Sequence, residues 1–171
     1  MIHCDLKKCV GCRMCEVACS SFHFGAVSPA LSRIHVSKLE NIGIDMAVAC
    51  YSCVEKPCLE CPTEALSVGT KGEILLDEEL CSACGLCVDA CPVGACGNDS
   101  DEPLFCDLCG GETLCVKECP ADALSYLENE EVSLGEFMQN KGNANQRRAS
   151  YVDVQAKPIR EDWMKGGRVD S

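Results

Sequence analysis

The chain has 171 residues, 18 cysteines and a net charge of −12, so it is long enough for one compact domain but too acidic to favour nucleic-acid phosphates. Only 5% of the residues are aromatic, so the apolar core is thin and another source of folding energy is required. The first residues lack the basic start and apolar stretch of a signal peptide, and no run of about 18 apolar residues predicts a membrane span. We therefore expect a cytoplasmic protein whose cysteines bind metal rather than form disulfides.

Sixteen of the cysteines fall into four groups of four. The first and third groups have the spacing C-x2-C-x2-C-x3-C, and a proline follows the third, as in bacterial iron–sulfur proteins. The second group is spaced x2, x4, x2, and the fourth is spaced x2, x5, x3. The members are Cys9, Cys12, Cys15 and Cys19 (group one), Cys50, Cys53, Cys58 and Cys61 (group two), Cys81, Cys84, Cys87 and Cys91 (group three), and Cys106, Cys109, Cys115 and Cys119 (group four).

This spacing favours iron–sulfur clusters over other uses of cysteine. Three cysteines two residues apart can each reach a different iron of one cubane cluster, and the fourth ligates the neighbouring cluster in two-cluster ferredoxins. Four groups therefore predict four [4Fe–4S] clusters. Every group has four cysteines, so no iron is left open for a substrate, and we predict electron transfer and no catalytic residues. Zinc ribbons would account for groups two and four, but they do not use the third closely spaced cysteine of groups one and three.

A five-residue unit is repeated at the ends of groups two, three and four. Each copy begins Cys-Pro and ends in alanine, and proline suits the first position of a helix. Group one ends instead in Cys19-Ser20. Repeats of this kind indicate duplicated modules. The copies are residues 61–65, 91–95 and 119–123.

Short strands are predicted between the cysteine groups. Residues 65–68 and 73–76 are apolar runs on either side of a glycine-bounded turn, which predicts a β-hairpin. We also expect short strands at residues 33–36 and 47–49, within an insertion at 20–49 that has room for a strand and a loop. After group four, Ser133-Leu134-Gly135-Glu136 predicts a capping box and a short helix.

The cysteine-free tail differs from the rest of the chain in charge. Residues 1–140 carry a net charge of −15, whereas residues 141–171 carry +3. Apolar residues in the tail are scattered without clear periodicity, so it is either disordered or an arm that orders on another subunit. We favour an extended arm that docks through Trp163 and whose deletion leaves the clusters intact.

Several residues that could bind a metal or a ligand have simpler interpretations. Cys4 and Cys96 stand outside the four groups, and we expect both to be buried apolar thiols. Arg147 and Arg148 are expected to be a solvated pair. The histidines are interpreted as surface or packing residues, although histidine can replace a cluster cysteine. They are His3, His23 and His35.

The four groups, in this order, resemble the four-cluster ferredoxin-type subunits of molybdenum and tungsten pterin oxidoreductases, such as the dimethyl sulfoxide reductase and formate dehydrogenase subunits. The resemblance covers roughly residues 4–127 and rests on sixteen cysteines. Residues 9–25 look more like the small subunits of tungsten aldehyde oxidoreductases and the benzoyl-CoA reductase group. The resemblance implies an electron-transfer subunit in a hetero-oligomer, with a tungsten or molybdenum pterin catalytic partner and a further redox subunit or ferredoxin.

In that family the cysteine groups pair crosswise, so the resemblance implies four ligand sets. We name each set by the group that supplies three of its cysteines. The spacing between Cys58 and Cys61 is x2 where the pattern has x3, which requires a tighter local turn. The sets are Cys9, Cys12, Cys15 and Cys119 (site 1), Cys50, Cys53, Cys58 and Cys91 (site 2), Cys81, Cys84, Cys87 and Cys61 (site 3), and Cys106, Cys109, Cys115 and Cys19 (site 4).

The expected fold is α+β, with two nested ferredoxin-like modules. The inner module spans residues 47–96, the outer module combines residues 4–30 with 97–127, and residues 128–171 form the C-terminal extension. Two functional alternatives stay open: a free-standing soluble polyferredoxin, and an electron-transfer subunit of a nickel hydrogenase or carbon monoxide dehydrogenase. A zinc-stabilised scaffold is a further alternative, which a colourless protein would indicate.

Overall fold

The computed structural model describes residues 1–99, 102–128 and 130–166, and these form a mixture of helices and small sheets. The predicted α+β class is confirmed. None of the helices in this part of the chain is long and apolar enough to cross a membrane. The helices are α1 (Met14–Phe24), α2 (Leu86–Ala90), α3 (Leu114–Lys117) and α4 (Ala144–Gly166); the strands are β1 (Ile2–Cys4), β2 (His35–Leu39), β3 (Ile44–Val48), β4 (Leu66–Val68), β5 (Ile74–Leu76), β6 (Gly97–Asp99), β7 (Glu102–Leu104) and β8 (Leu124–Tyr126).

The strands pair as four antiparallel two-stranded sheets, β1–β8, β2–β3, β4–β5 and β6–β7. Strand β1 precedes group one and β8 follows group four, with Ile2 opposite Tyr126 and Cys4 opposite Leu124. The N-terminal amino group extends this contact by donating to the carbonyl oxygen of Leu127 at 2.6 Å. The two ends of the cysteine-rich region are therefore joined by backbone hydrogen bonds.

The predicted hairpin between groups two and three is present. It consists of β4 and β5, with Leu66 opposite Leu76 and Val68 opposite Ile74. The insertion between groups one and two forms a second hairpin, β2–β3, in which five residue pairs run from His35↔Val48 to Leu39↔Ile44. The two strands predicted there are real, but each extends further towards the turn.

The main apolar core is built partly from cysteine. Ile34, Val48, Val93 and Val152 are almost completely buried, and they belong to a cluster that also contains Cys4 and several cysteines of sites 1 and 4. A smaller cluster contains Ile74, Val88, Cys96 and Phe105. Predicted metal ligands therefore form part of the packed interior.

The C-terminal extension corrects the prediction of an extended arm. Residues 144–166 form helix α4, whose first half packs against the β2–β3 hairpin and buries Tyr151, Val152 and Ala156. These residues lie on one stripe of a helix, which the scattered large apolar residues did not reveal. Trp163 and Met164 in the second half are 55% and 77% exposed, and docking of this half on a partner stays a prediction. Residues 167–171 of the predicted arm lie outside the described residues.

Helix α4 begins with a capping arrangement that the sequence analysis missed. The backbone N–H of Gln146 donates to Oδ1 of Asn143 at 3.0 Å, and the N–H of Asn143 donates to Oε1 of Gln146 at 2.9 Å. These reciprocal bonds have the pattern of a capping box. The short helix predicted after Ser133 is a 3₁₀ helix, Gly135–Phe137, and its entry is held by Glu55, which accepts from the N–H of Leu134 at 2.9 Å.

Candidate metal centres

All four cysteine groups contain the same pair of unusual backbone conformations. The residue before the second cysteine and the residue two before the third cysteine have φ between 40° and 74°. Six of these eight residues are not glycine, and each such left-handed residue costs about 1–2 kcal/mol. Strain of this kind persists only where the surroundings impose it, and it concentrates at functional sites. The residues are Gly11 and Arg13, Ser52 and Lys56, Ala83 and Gly85, and Leu108 and Thr113.

The third cysteine of every group is the second residue of a helix. Cys15 is the second residue of α1, Cys87 of α2 and Cys115 of α3. Each of these helices directly follows a left-handed residue that caps it. In group two the equivalent Cys58 is the second residue of a 3₁₀ helix, Pro57–Leu59. A 3₁₀ helix has fewer residues per turn than an α-helix, which accounts for the shorter spacing to Cys61. This is the tighter turn that the spacing predicted.

The repeated Cys-Pro-x-x-Ala unit directs a backbone donor towards the cysteine sulfur. Its fourth residue is left-handed in all three copies, at Glu64, Gly94 and Asp122. The turn lets the alanine N–H donate to the cysteine: from Ala95 to Sγ of Cys91 at 3.2 Å, and from Ala123 to Sγ of Cys119 at 3.4 Å. Hydrogen bonds to sulfur favour the thiolate form that binds metal.

Three of the predicted ligand sets each line one cavity. The cysteines of site 1 line one cavity, those of site 2 line a second, and those of site 3 line a third. Each set combines cysteines from two groups, so the chain fold brings together residues that are distant in sequence. Cys61, whose spacing departs from the family pattern, lines the site 3 cavity together with Cys81, Cys84 and Cys87.

The cysteines of site 4 are brought together by contact between helices α1 and α3. Burial, followed by the charge of Cys19, raises the pKa of Cys115 to about 12. Burial also raises the pKa values of Cys106 and Cys109, and the charge of Cys19 contributes to both. Cys19, the last cysteine of group one, therefore lies beside the first three cysteines of group four.

Burial makes these thiols weak acids in the absence of metal. It raises the pKa of Cys15 to about 12, that of Cys50 to about 11 and that of Cys58 to about 12. Such thiols are protonated at neutral pH, so metal binding must release their protons, as is usual for cysteine sites. Four soft sulfur ligands around a small cavity, with N–H donors aimed at sulfur, fit a [4Fe–4S] cluster.

The two cysteines outside the groups are buried, as predicted. Cys4 is enclosed in the main core, where its thiol hydrogen-bonds to Cys9 and lowers the pKa of that site 1 cysteine. Cys96 lies in the smaller core cluster and donates to the carbonyl oxygen of Gly97 at 3.3 Å. His3 is exposed and His35 is buried, so both agree with surface or packing roles.

His23 contacts the edge of site 4. Its Nε2 lies 3.3 Å from Oδ1 of Asp107 and 3.9 Å from Sγ of Cys109. Asp107 also accepts from the N–H of Cys109 at 2.9 Å, and its other oxygen lies 2.7 Å from Nη1 of Arg33. Burial is the main cause that lowers the pKa of His23. Since Cys109 already belongs to site 4, we interpret these groups as a polar surround of that site.

A family comparison identifies one part of this protein. The model of the 4Fe–4S binding domain matches residues 74–96, which include all of group three. The chain thus contains a ferredoxin-type 4Fe–4S binding domain. The match covers the part of the chain in which β5, α2 and the cysteines of site 3 lie.

Known proteins resemble this ferredoxin-type chain over larger segments. The polyferredoxin-like subunit of aliphatic sulfonate oxidoreductase from Pyrococcus furiosus is 49% identical over 87 residues, which are 50% of this chain and 50% of that protein. The electron transport protein HydN of Escherichia coli is 41% identical over 99 residues, which are 53% of this chain and 55% of HydN. The chain thus spans about half the length of these curated relatives.

A solved structure matches along most of the chain. The active site complex BamBC of benzoyl coenzyme A reductase with 1,5-dienoyl-CoA contains a chain that is 31% identical, with 97% of this chain and 96% of that chain covered and a TM-score of 0.47.

Sequence reasoning missed two arginines that contact the metal-binding loop of this iron–sulfur protein. Arg147 and Arg148, expected to be solvated, are 4% and 7% exposed. Their guanidinium groups donate to backbone carbonyls around Cys91, which belongs to site 2. The expectation of a solvated pair is therefore wrong. The sequence around these arginines does not predict their hydrogen bonds, because the carbonyl groups that accept them are more than fifty residues earlier in the chain.

Proposed function

We propose that this protein is an electron-transfer subunit that relays single electrons through four [4Fe–4S] clusters held at sites 1 to 4. The observation that carries the proposal is that cysteines from different groups line shared cavities, with sites 4 and 2 in contact and exposed cysteines at sites 1 and 3. Each cluster, when bound, supplies one-electron redox chemistry. The chain itself contributes the spacing of the sites, the exclusion of water and the surfaces on which partners dock.

Shared helices support the order of the sites. Helix α1 carries Cys15 of site 1 and Cys19 of site 4, and α3 carries Cys115 of site 4 and ends before Cys119 of site 1. Sites 2 and 3 are linked in the same way by α2, which carries Cys87 and leads to Cys91. Each pair of sites is thus connected by rigid elements, as expected for two ferredoxin-like modules.

One contact joins the two pairs. Cys106 of site 4 lines the same cavity as the cysteines of site 2, and the charge of Cys50 contributes to raising the pKa of Cys106, which burial raises most. This contact supports a proposed order of the sites of 1, 4, 2, 3. The nested modules proposed from the sequence agree with this order, because the inner pair is 2 and 3 and the outer pair is 1 and 4.

The most exposed cysteines belong to sites 1 and 3. Cys12 of site 1 and Cys84 of site 3 are exposed, whereas the cysteines of sites 2 and 4 are buried or half-buried. Exposed apolar side chains lie beside both, Val10 beside Cys12 and Leu86 beside Cys84, and Val54 is likewise exposed beside Cys53 of site 2. An electron can thus enter at one end and leave at the other, which suits a subunit between two partners better than a carrier with one docking surface.

We propose a tungsten or molybdenum pterin catalytic subunit of the aldehyde oxidoreductase type as one partner, in a cytoplasmic hetero-oligomer. The resemblance of residues 9–25 to the small subunits of such enzymes supports this choice. The relative from Pyrococcus furiosus is named as a subunit of an oxidoreductase, and the relative from Wolinella succinogenes, 34% identical over 96 residues, is named as a formate dehydrogenase subunit. A nickel enzyme partner and a free-standing polyferredoxin are the alternatives.

Anaerobic purification with metal analysis tests the proposal. We expect about sixteen iron and sixteen sulfide per chain, four for each of four clusters, and a brown protein. A value near eight would contradict the four-cluster assignment, and a colourless protein with zinc would contradict the function. Tungsten or molybdenum in the co-purified complex would support the proposed partner, whereas nickel or the absence of any partner would favour an alternative.

A further inference from the structure

Two arginines of helix α4 contact the loop that carries Cys91 of site 2. Nε of Arg147 donates to the carbonyl oxygen of Cys91 at 2.9 Å, and its Nη2 donates to that of Val88 at 2.8 Å. Arg148 donates to the carbonyl oxygen of Gly94 from Nη2 at 2.7 Å and from Nε at 3.1 Å. The two guanidinium groups thus bind the backbone on both sides of a predicted cluster ligand.

Among the described residues, these buried cations have only weak carboxylate partners. The nearest acidic group to Arg147 is Asp89, whose Oδ1 lies 4.0 Å from Nη2 and whose side chain is 80% exposed, so water screens it. Glu16 interacts with Arg148 only at longer range, and its carboxylate is bound to Arg13 and to the N–H of Val36. Burying charge without a partner is costly, and buried charges in proteins are normally paired or beside metals.

A cluster at site 2 would supply the missing negative charge. Burial lowers the pKa of Arg148 to about 10, and the charges of Glu16 and, less strongly, Cys91 act in the opposite direction, so the guanidinium stays protonated at neutral pH. Thiolate ligands make the site negative, and reduction adds a further negative charge. In a low-dielectric interior two nearby positive charges stabilise the reduced state more than the oxidised state.

We propose that Arg147 and Arg148 are positioning residues of site 2, which hold the Cys91 loop and raise the reduction potential of the cluster bound there. The inference rests on the proposed function, because it requires a cluster at site 2. It assigns to the C-terminal helix a role inside the electron path, rather than only at a partner surface. Hydrogen bonds and charges around a cluster are established determinants of its potential.

A redox titration of the anaerobically purified full-length protein, followed by electron paramagnetic resonance, tests this inference. The signal of site 2 is assigned as the one altered by Cys91→Ser. We expect Arg147→Gln and Arg148→Gln to shift the midpoint potential of that signal downward and to leave the other three unchanged. Arg148→Lys, which keeps the charge but loses the two-bond contact, should retain most of the wild-type potential.

The matched control is Arg160→Gln. Arg160 lies on the same helix and pairs with Asp153 at 2.7 Å, but it is about 20 Å further along the helix axis than Arg147. Its substitution removes the same charge and should leave all four potentials unchanged. A shift as large as that of Arg148→Gln would overturn the inference, because it would indicate a general effect of net charge.

The remaining outcomes separate the inference from the proposed function. Gln variants with full iron content and an unshifted site 2 potential would overturn the inference alone. If a Gln variant loses about four of sixteen iron atoms, the Arg148→Lys variant distinguishes the two explanations. Retained iron and an unchanged site 2 potential in Arg148→Lys would support the role of charge. Loss of the cluster in Arg148→Lys would overturn the inference. Wild-type protein without a reducible cluster assignable to Cys91 would overturn both.

Discussion

At single residues, the metal-binding loops depend on backbone conformations that most side chains avoid. The fourth residue of the Cys-Pro-x-x-Ala unit is left-handed in every copy, but only Gly94 has no side chain there. The other copies use Glu64 and Asp122, so the turn itself tolerates a side chain. Gly94 differs because a Cβ at this position would lie 2.1 Å from the carbonyl oxygen of Ala144, at the start of α4.

We predict that Gly94→Ala destabilises the protein by about 2–5 kcal/mol, from left-handed strain and from the clash with α4 together. Gly25→Ala is the matched control, because Gly25 has a φ of 63° and open space around its Cβ position. The control should lose only about 1–2 kcal/mol. Denaturant unfolding of the iron-loaded proteins measures both. Equal losses would show that the contact between α4 and the Cys91 loop contributes nothing.

At the scale of elements, helix α4 joins the cysteine-free tail to the iron–sulfur body. Its first half buries Tyr151, Val152 and Ala156, and residues 140–148 donate to the carbonyl groups of Val88, Cys91, Pro92 and Gly94. The second half is exposed and carries Trp163 and Met164. The two halves should therefore serve different purposes, the first in the metal-binding region and the second at the surface.

Two truncations separate these purposes. Deleting residues 141–171 was expected to leave the clusters intact, but it removes both arginines of site 2, and we now predict a loss of about four of sixteen iron atoms per chain. Deleting residues 161–171 should keep the full iron content and visible spectrum while weakening co-purification with the catalytic partner. Iron analysis and pull-down measure the two effects. Normal iron content in the longer truncation would contradict the role assigned to α4.

At the scale of the whole molecule, the cysteine groups are brought together crosswise. The outer sheet β1–β8 places the residues before group one beside those after group four. Helix α3 then carries group four so that Cys115 faces site 4 while Cys119 lines the cavity of site 1 with Cys9, Cys12 and Cys15.

Substitution of one cysteine tests the crosswise sets. We predict that Cys119→Ser perturbs the cluster of site 1 more than that of site 4, although Cys119 belongs to group four in sequence. Cys96→Ser is the control, since Cys96 is buried but belongs to no set, and it should leave about sixteen iron atoms in place. Electron paramagnetic resonance and iron analysis report the outcome. A change confined to site 4 would show that each group ligates its own cluster.

The sequence by itself determined the class of the protein. Cluster ligands are recognisable from local spacing, because a cubane requires thiolates from a short loop, and a repeated spacing such as that of groups one and three has few other uses. The same local logic predicted the β4–β5 hairpin, the tight turn before Cys61 and the burial of Cys4 and Cys96.

The tertiary structure decided how the tail and the sites lie relative to one another. Arg147 and Arg148 were expected to be solvated, since nothing nearby in sequence shows that their partners are the carbonyl groups of the Cys91 loop. The contact between Cys106 and site 2, which supports the proposed order of the sites, likewise depends on packing between segments that are distant in sequence. The pattern of side chains along the sequence predicts local conformation. The groups that pair with backbone carbonyls and buried charges are set only by the tertiary fold, because they come from distant parts of the chain.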